Sequence, residues 1–358
     1  MGVRSEQQPA EDDVTEVAPG ILRMQLPISM PGLGHVNCYV LEDGDGFTLV
    51  DPGLPDEVSR AALGERLARL GVPIPRVHTV IVTHSHPDHF GGAQWLREES
   101  GADIVSHRLF KLYWEPEPDS PDAETMAELL ERGDTDAIPA PWDRPTPWGG
   151  ERYRPLDSAS EQRMRQMMTD PLQRPRPTVR LDDAQVVTLA RREWVAVHTP
   201  GHTHDHLCLY DPTEGVLLSG DHVLPTITPH IAGVTNQDDP LKEFFGSLDK
   251  VAGLSGVRYV LPAHGTPFAD LQSRVAHIKV HHEERLEKLR TTSAEFGRAA
   301  TVNEMMRHLF SERAWGPMAE SETYAHLEHL RLAGEARTVW QDGLLAFEVV
   351  AAPAASGH

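Results

Sequence analysis

Short apolar runs, each closed by a turn or a polar cluster, set the pattern of this chain. Residues 35–41 and 47–50 are strand-like runs on either side of the turn-forming stretch 42–46, and together they predict a β-hairpin. From 56 to 70 the apolar positions follow a helical period, which Gly71 and Pro73 terminate. The run Val80-Ile81-Val82 predicts a short buried strand, followed by a helix over 92–99 and a strand at 103–105. Further apolar runs at 194–197, 216–218 and 257–261 read as strands, with a helix over 241–251 before the last of them. Beyond residue 268 the pattern is mostly helical, at 268–292, 302–310 and 324–332. It ends in a hairpin over 336–350 whose turn is Asp342-Gly343.

Candidate chemistry sits where the strands stop. Directly after Val82, the stretch Thr83-His84-Ser85-His86-Pro87-Asp88-His89 brings three imidazoles and a carboxylate together. Imidazole and carboxylate are the ligands that borderline divalent metals such as zinc prefer. A buried strand would deliver them rigidly into a loop at the sheet edge. Three more strand-like runs end in the same residue types: His202 after Pro200-Gly201, Asp221 after Ser219-Gly220, and His264 after Pro262-Ala263. Each of these alone also reads as a turn histidine or a helix-cap aspartate. Strand ends on one edge of a sheet converge in space, which is how ligands distant in sequence meet.

The order of these motifs resembles the metallo-β-lactamase-fold hydrolase superfamily. The resemblance rests on His84-Ser85-His86-Pro87-Asp88-His89, Pro200-Gly201-His202, Gly220-Asp221 and Ala263-His264-Gly265, with Asp51 matching the superfamily's structural aspartate. It implies an α/β (α+β) fold, a four-layer αββα sandwich over residues 14–290 with two metal ions between its sheets. It further implies that His84, His86 and His202 hold one metal, that Asp88, His89 and His264 hold the other, and that Asp221 bridges them. Zinc is the expected metal, while iron or manganese suits the same ligand types. Two ions ~3.5–4 Å apart need a bridging oxygen, and a water shared between them has its pKa lowered towards ~7. The bridging hydroxide is then the expected nucleophile, with Asp88 orienting it or relaying its proton. Position 86 is histidine where the oxygen-reducing diiron members carry glutamate, which points to hydrolysis over redox chemistry. Asp221 resembles the glyoxalase II-like and general hydrolase branches more than true β-lactamases. The expected reaction is hydrolysis of an ester, thioester or lactone of a small acyl compound.

Composition bounds this reading. A chain of 358 residues can bury one large core and a small extra domain. Its formal charge of −21 disfavours nucleic acid, whose phosphates are bound by lysine and arginine. Cys38 and Cys208 lie in apolar strand-like segments and read as reduced core residues. The N-terminus is polar and acidic, and no run approaches the ~20 apolar residues of a membrane span. The expectation is a cytoplasmic protein without membrane contact.

Residues 113–178 break the pattern. They are rich in proline, carry Tyr113, Trp114, Trp142, Trp148 and Tyr153, and have helical stretches near 123–132 and 158–168. Two readings stay open: a lid whose aromatics line the pocket, or a surface insertion packed on its own tryptophans. His204, His206, His222 and His230 lie close to ligand motifs and are candidates for orienting ligands or facing substrate; each also reads as a structural histidine. Residues 291–350, helices followed by a two-stranded wing, resemble the winged-helix domain of some superfamily members. Glu320, Glu322 and Glu328 stand against Arg331 where a DNA-reading helix would carry basic side chains. Packing against the catalytic domain, or self-association into a homo-oligomer, is expected instead. Residues 351–358 read as a frayed tail. Two other functions are weighed. One is a phosphodiesterase or endoribonuclease on single-stranded RNA, because members with this two-domain layout include one that cuts RNA. The other is a metal-dependent regulatory or scaffolding protein, against which the full ligand set speaks, since a structural site closes its coordination with four protein ligands.

Overall fold

The computed structural model describes residues 4–350 except 31, 45, 117–118, 144 and 151–157. Tyr153, the hairpin-turn residue Asp45 and the tail 351–358 lie outside the described residues. Strands β1 (Thr15–Ala18), β2 (Ile21–Met30), β3 (Leu33–Asp43), β4 (Gly46–Val50), β5 (Val77–Ile81), β6 (Asp103–His107) and β7 (Val179–Leu181) form one sheet in chain order. Neighbours from β1 to β4 are antiparallel, and those from β4 to β7 are parallel. Parallel neighbours need crossovers. These are α1 (Glu57–Arg69), then α2 (Pro87–Phe90) and α3 (Ala93–Ser100), then α4 (Pro121–Arg132) and α5 (Ser158–Thr169).

A second sheet contains β8 (Val186–Leu189), β9 (Arg192–His198), β10 (Leu207–Asp211), β11 (Val216–Gly220) and β12 (Tyr259–Pro262), in the order β12-β11-β10-β9-β8. Helix α6 (Pro240–Ala252) makes the crossover between parallel β11 and β12. The chain continues through α7 (Leu271–Phe296), β13 (Ala300–Thr301), α8 (Val302–Leu309), α9 (Pro317–Leu332), β14 (Ala336–Gln341) and β15 (Leu344–Val349). The last three strands form a small sheet in the order β13-β15-β14.

The two-residue period of the strands builds the layers. In β3, Val36, Cys38 and Val40 share a core with Leu63 of α1 and Leu96 of α3. The alternate residues Tyr39 and Leu41 share another with Trp194, Leu207 and Leu218 of the second sheet. On that sheet Val197, Cys208, Leu217 and Val260 pack with Phe244 of α6 and Val275 of α7. The result is helix on sheet on sheet on helix. Cys38 and Cys208 are buried and unpaired. No helix among the described residues is long and apolar enough to cross a membrane.

Several elements differ from the sequence pattern for local reasons. The helix expected from 268 starts at Leu271, because the Asp270 carboxylate caps it through Ser273 N–H at 3.0 Å and Phe268 is held in a bridge to Val260. Helix α9 starts at Pro317 rather than 324. Proline suits the first helical position, while exposed Met318 hides the apolar period there. Strands β1, β2, β7 and β8 have no counterpart in the pattern read above. The final hairpin turns at Asp342 and Gly343, with φ of 50° and 78°, as a two-residue turn requires.

The proline-rich stretch touches both outer layers. Trp114, Met126, Ile138 and Met167 join the first outer core, and Trp148 joins the second. The Trp148 carbonyl accepts from Leu345 N–H at 2.8 Å, and its ring lies 4.8 Å from that of Tyr324.

Candidate metal centre

The histidine stretch leaves β5 through a loop anchored by Asp51. Thr83 N–H donates to Asp51 Oδ1 at 2.9 Å, and the Thr83 hydroxyl donates to Oδ2 at 2.8 Å. Asp51 has a φ of 53°, in the left-handed region that aspartate tolerates better than most residues. Its Oδ2 also accepts from His89 Nδ1 at 2.9 Å. His264 and His202 are tied the same way. His264 Nδ1 donates to the His35 carbonyl at 2.6 Å, and His202 Nδ1 donates to the His230 carbonyl at 2.7 Å. In all three, the proton on Nδ1 leaves the Nε2 lone pair available to a cation.

Two groups converge. Ligand atoms of His84, His86, His202 and Asp221 all lie within 4.8 Å of one another, and so do those of Asp88, His89 and His264. His86 Nδ1 is 3.0 Å from His84 Nε2 and 3.2 Å from His202 Nε2. Asp221 stands between the groups. Its Oδ2 is 3.5 Å from His202 Nε2 and 3.7 Å from His89 Nε2, and its Oδ1 is 3.3 Å from His264 Nε2. Asp88 Oδ2 lies 3.3 Å from His264 Nε2. His89 Nε2, His264 Nε2 and Asp221 Oδ1 are buried without a hydrogen-bond partner. Each such atom costs about 1–3 kcal/mol, and a bound cation would satisfy all three. The donor set therefore fits divalent metal.

Electrostatics divide the cluster. Burial, then His89 and His86, holds the His84 imidazole well below its usual range, and burial with His202 lowers His86 to about 3. Both are neutral near pH 7, which is the ligand form. Burial also works to lower His264, but the Asp221 and Asp88 carboxylates outweigh it and raise this imidazole to about 10. His89 is raised in the same way, by Asp88, Asp221 and Asp51 against burial. Burial would raise Asp88 and Asp221, yet the facing imidazoles keep both below the usual carboxylate range. The carboxylates thus draw protons to the places where cations would sit.

The remaining candidates separate. His206 is a buried strut: its Nε2 accepts from Asp221 N–H at 3.0 Å, so Nδ1 donates to Thr199 Oγ at 2.7 Å. His230 offers its carbonyl to His202 and turns its ring 3.4 Å from Glu322 of α9. His204 and His222 are held by other neighbours. The His204 carbonyl accepts from His198 Nε2 at 2.8 Å, and its ring lies 6.3 Å from that of His198, which in turn stacks on His107. The His222 ring is fully buried, 5.2 Å from Phe244. His222 N–H donates to the Ser219 carbonyl at 3.0 Å, closing the tight turn that carries Asp221.

Sequence reasoning missed several holders. Asn37 Nδ2 donates to the Pro262 and Gly265 carbonyls at 2.8 Å each, fixing the turn that carries His264. Its signal was a lone amide inside the apolar run 36–41. Asp205, raised to about 6 by burial, accepts from Ser85 Oγ at 3.0 Å. A third buried group, His282, Glu322 and His326, lies apart. Its two imidazoles bond each other at 3.0 Å, and Arg285 and His230 engage the Glu322 carboxylate.

Known proteins bear the same stamp. The sequence profile of the Metallo-beta-lactamase superfamily matches residues 31–264. The chain is 23% identical over 345 residues to the probable metallo-hydrolase YqjP of Bacillus subtilis, covering 92% of this chain and 97% of that protein. It is 26% identical over 292 residues to an atrochrysone carboxyl ACP thioesterase of Aspergillus fumigatus, covering 80% of this chain and 69% of that one. The crystal structure of a metallo-beta-lactamase family protein from Thermus thermophilus superposes with a TM-score of 0.72 at 29% identity, covering 93% of this chain and 100% of that one. A profile match of this extent, on two facing sheets that gather histidines and aspartates at their edge, makes the chain a member of the metallo-beta-lactamase superfamily and a metallo-hydrolase.

Proposed function

We propose that the protein hydrolyses a thioester or ester of a small acyl compound with two zinc ions. His84, His86 and His202 would hold one, Asp88, His89 and His264 the other, and Asp221 would bridge them. The observation that carries this reading is Asp221, whose oxygens lie 3.5 Å from His202 Nε2 of one group and 3.3 and 3.7 Å from His264 and His89 Nε2 of the other. When bound, the cations would polarise the acyl oxygen and acidify a water between them.

The chain's own residues hold, orient and shield. Asp51 and Thr83 keep the histidine loop rigid, and burial of the cluster, with His86 alone among the ligands half-exposed, limits competing water. Asp88, beside His264 and His89, would orient the attacking water or relay its proton. Trp114 would brace the histidine loop from the outer core, its ring 6.2 Å from that of Phe90, next to His89. The thioester class draws on the likeness to the Aspergillus thioesterase. The unit from β13 to β15 would be winged-helix-like, and its acidic second helix suits packing on the sandwich better than binding DNA.

Initial rates would be measured with zinc-loaded enzyme on acyl thioesters, aryl esters, lactones, an aryl phosphodiester and a short single-stranded RNA, beside His84→Ala. Acyl turnover that vanishes in the variant supports the proposal. Cleavage of phosphodiester or RNA alone would reject it.

A further inference from the structure

Between β11 and α6 the chain runs through a loop that carries His230. The carbonyl of His230 is what His202 Nδ1 donates to, at 2.7 Å. That bond sets the His202 tautomer and turns Nε2 toward Asp221 and His86. The position of one backbone carbonyl therefore governs the aim of one imidazole.

The loop is gripped from the C-terminal unit. Gly233 N–H donates to Ser321 Oγ at 2.9 Å, and a Cβ on Gly233 would lie 2.5 Å from the Ser321 carbonyl oxygen, so loop and helix are in direct contact. Glu322 Oε2 lies 3.4 Å from His230 Nδ1, while its other oxygen meets Arg285 of α7. Two turns further along the same face of α9, His329 Nδ1 is 3.0 Å from the carboxylate of Asp239, the cap of α6 at the end of the loop. A charged side chain as buried as Glu322 is costly unless partners hold it, and here the partners are the loop and α7.

We propose that α9 is part of the metal-binding apparatus. Through Ser321 and Glu322 it holds the His230 carbonyl against His202, and so acts as a positioning element for one of the two cations. This rests on His202 being a ligand, as proposed above. It also gives the helix that would read DNA in a winged helix a different task, because its anchoring face is turned into the sandwich.

The test uses full-length protein stripped of metal and titrated with zinc against a chromophoric chelator, and with cobalt followed by its visible absorption. The double variant Ser321→Ala/Glu322→Gln should fold, bind one equivalent as the parent does, and bind the other about 10- to 100-fold more weakly. Its cobalt bands for that equivalent should shift, and Ser321→Thr, which keeps the hydroxyl, should restore them. Equal affinity for both equivalents with unchanged cobalt bands overturns the inference. Should the double variant unfold, Ser321→Ala alone carries the same comparison. His202→Ala separates the two failures. If it still binds both equivalents, the ligand assignment falls and this inference with it. If it loses one while the α9 variants lose none, only the inference falls.

Discussion

Asp51 and Asp221 put the same functional group to different uses. Asp221 faces both halves of the cluster, so Asp221→Ala removes the shared carboxylate while leaving the sheets intact. Zinc content should fall below the parent value, and kcat/KM should drop by about 10³-fold or more with an unchanged circular dichroism spectrum. Asp51 touches Thr83 and His89 instead. Asp51→Asn keeps the shape, and asparagine also tolerates the positive φ, but it removes the charge and turns one accepting oxygen into an N–H donor, so Thr83 N–H or His89 Nδ1–H loses its acceptor. Zinc affinity, measured by chelator competition, should weaken about 10- to 100-fold. The candidate ligands were readable at this scale because each stands within a few residues of the end of an apolar run. The direction of a turn side chain was not: His206 and His222 both follow candidate ligands within a few residues, yet one supports Asp221 and the other is packed on Phe244.

The elements separate stability from site geometry. Leu63 is fully buried between α1 and the first sheet, so Leu63→Ala should cost about 2–5 kcal/mol in urea denaturation, with zinc content unchanged in the protein that remains folded. The loop between β9 and β10 behaves differently. Gly201 has a φ of 132°, and a Cβ there would lie 2.4 Å from Phe244 Cβ and 2.5 Å from Phe244 Cα. Gly201→Ala must push the loop off α6. It should cost about 1–3 kcal/mol from overpacking and should also lower zinc content, since His202 is the next residue. Helix α1 and the last hairpin were legible from period and turn chemistry. Strands β1 and β8 were not, because edge strands are specified by the neighbours they pair with as much as by their own pattern.

At the scale of the whole molecule, the junction of α7 and α9 makes folding sensitive to acid. Burial and the neighbouring His326 lower His282 to about 2. Burial lowers His326 to about 4, with Glu322 opposing and Arg285 assisting. Both folded values lie below the ordinary 6.5, so the unfolded chain binds more protons between them. The stability they contribute is present above about pH 6.5 and is lost as pH falls through about 4 and then 2, by up to about 1.4 kcal/mol per pH unit for each group. Glu322, itself held below the usual carboxylate range against its burial by His230 and Arg285, adds a loss of the same sign at lower pH. A His282→Gln/His326→Gln variant should show a flatter dependence of its urea midpoint on pH between 6.5 and 4. By itself the sequence determined the candidate ligand residues and the strands that end in them, because a strand and the residues just past it are local features. Only the tertiary structure decided what those residues touch: the carbonyls of His35 and His230, and behind them the amide of Asn37 and the contact of α9 with the His230 loop. Every residue has a carbonyl, so none carries a sequence signature, and its role depends on which distant segment packs against it.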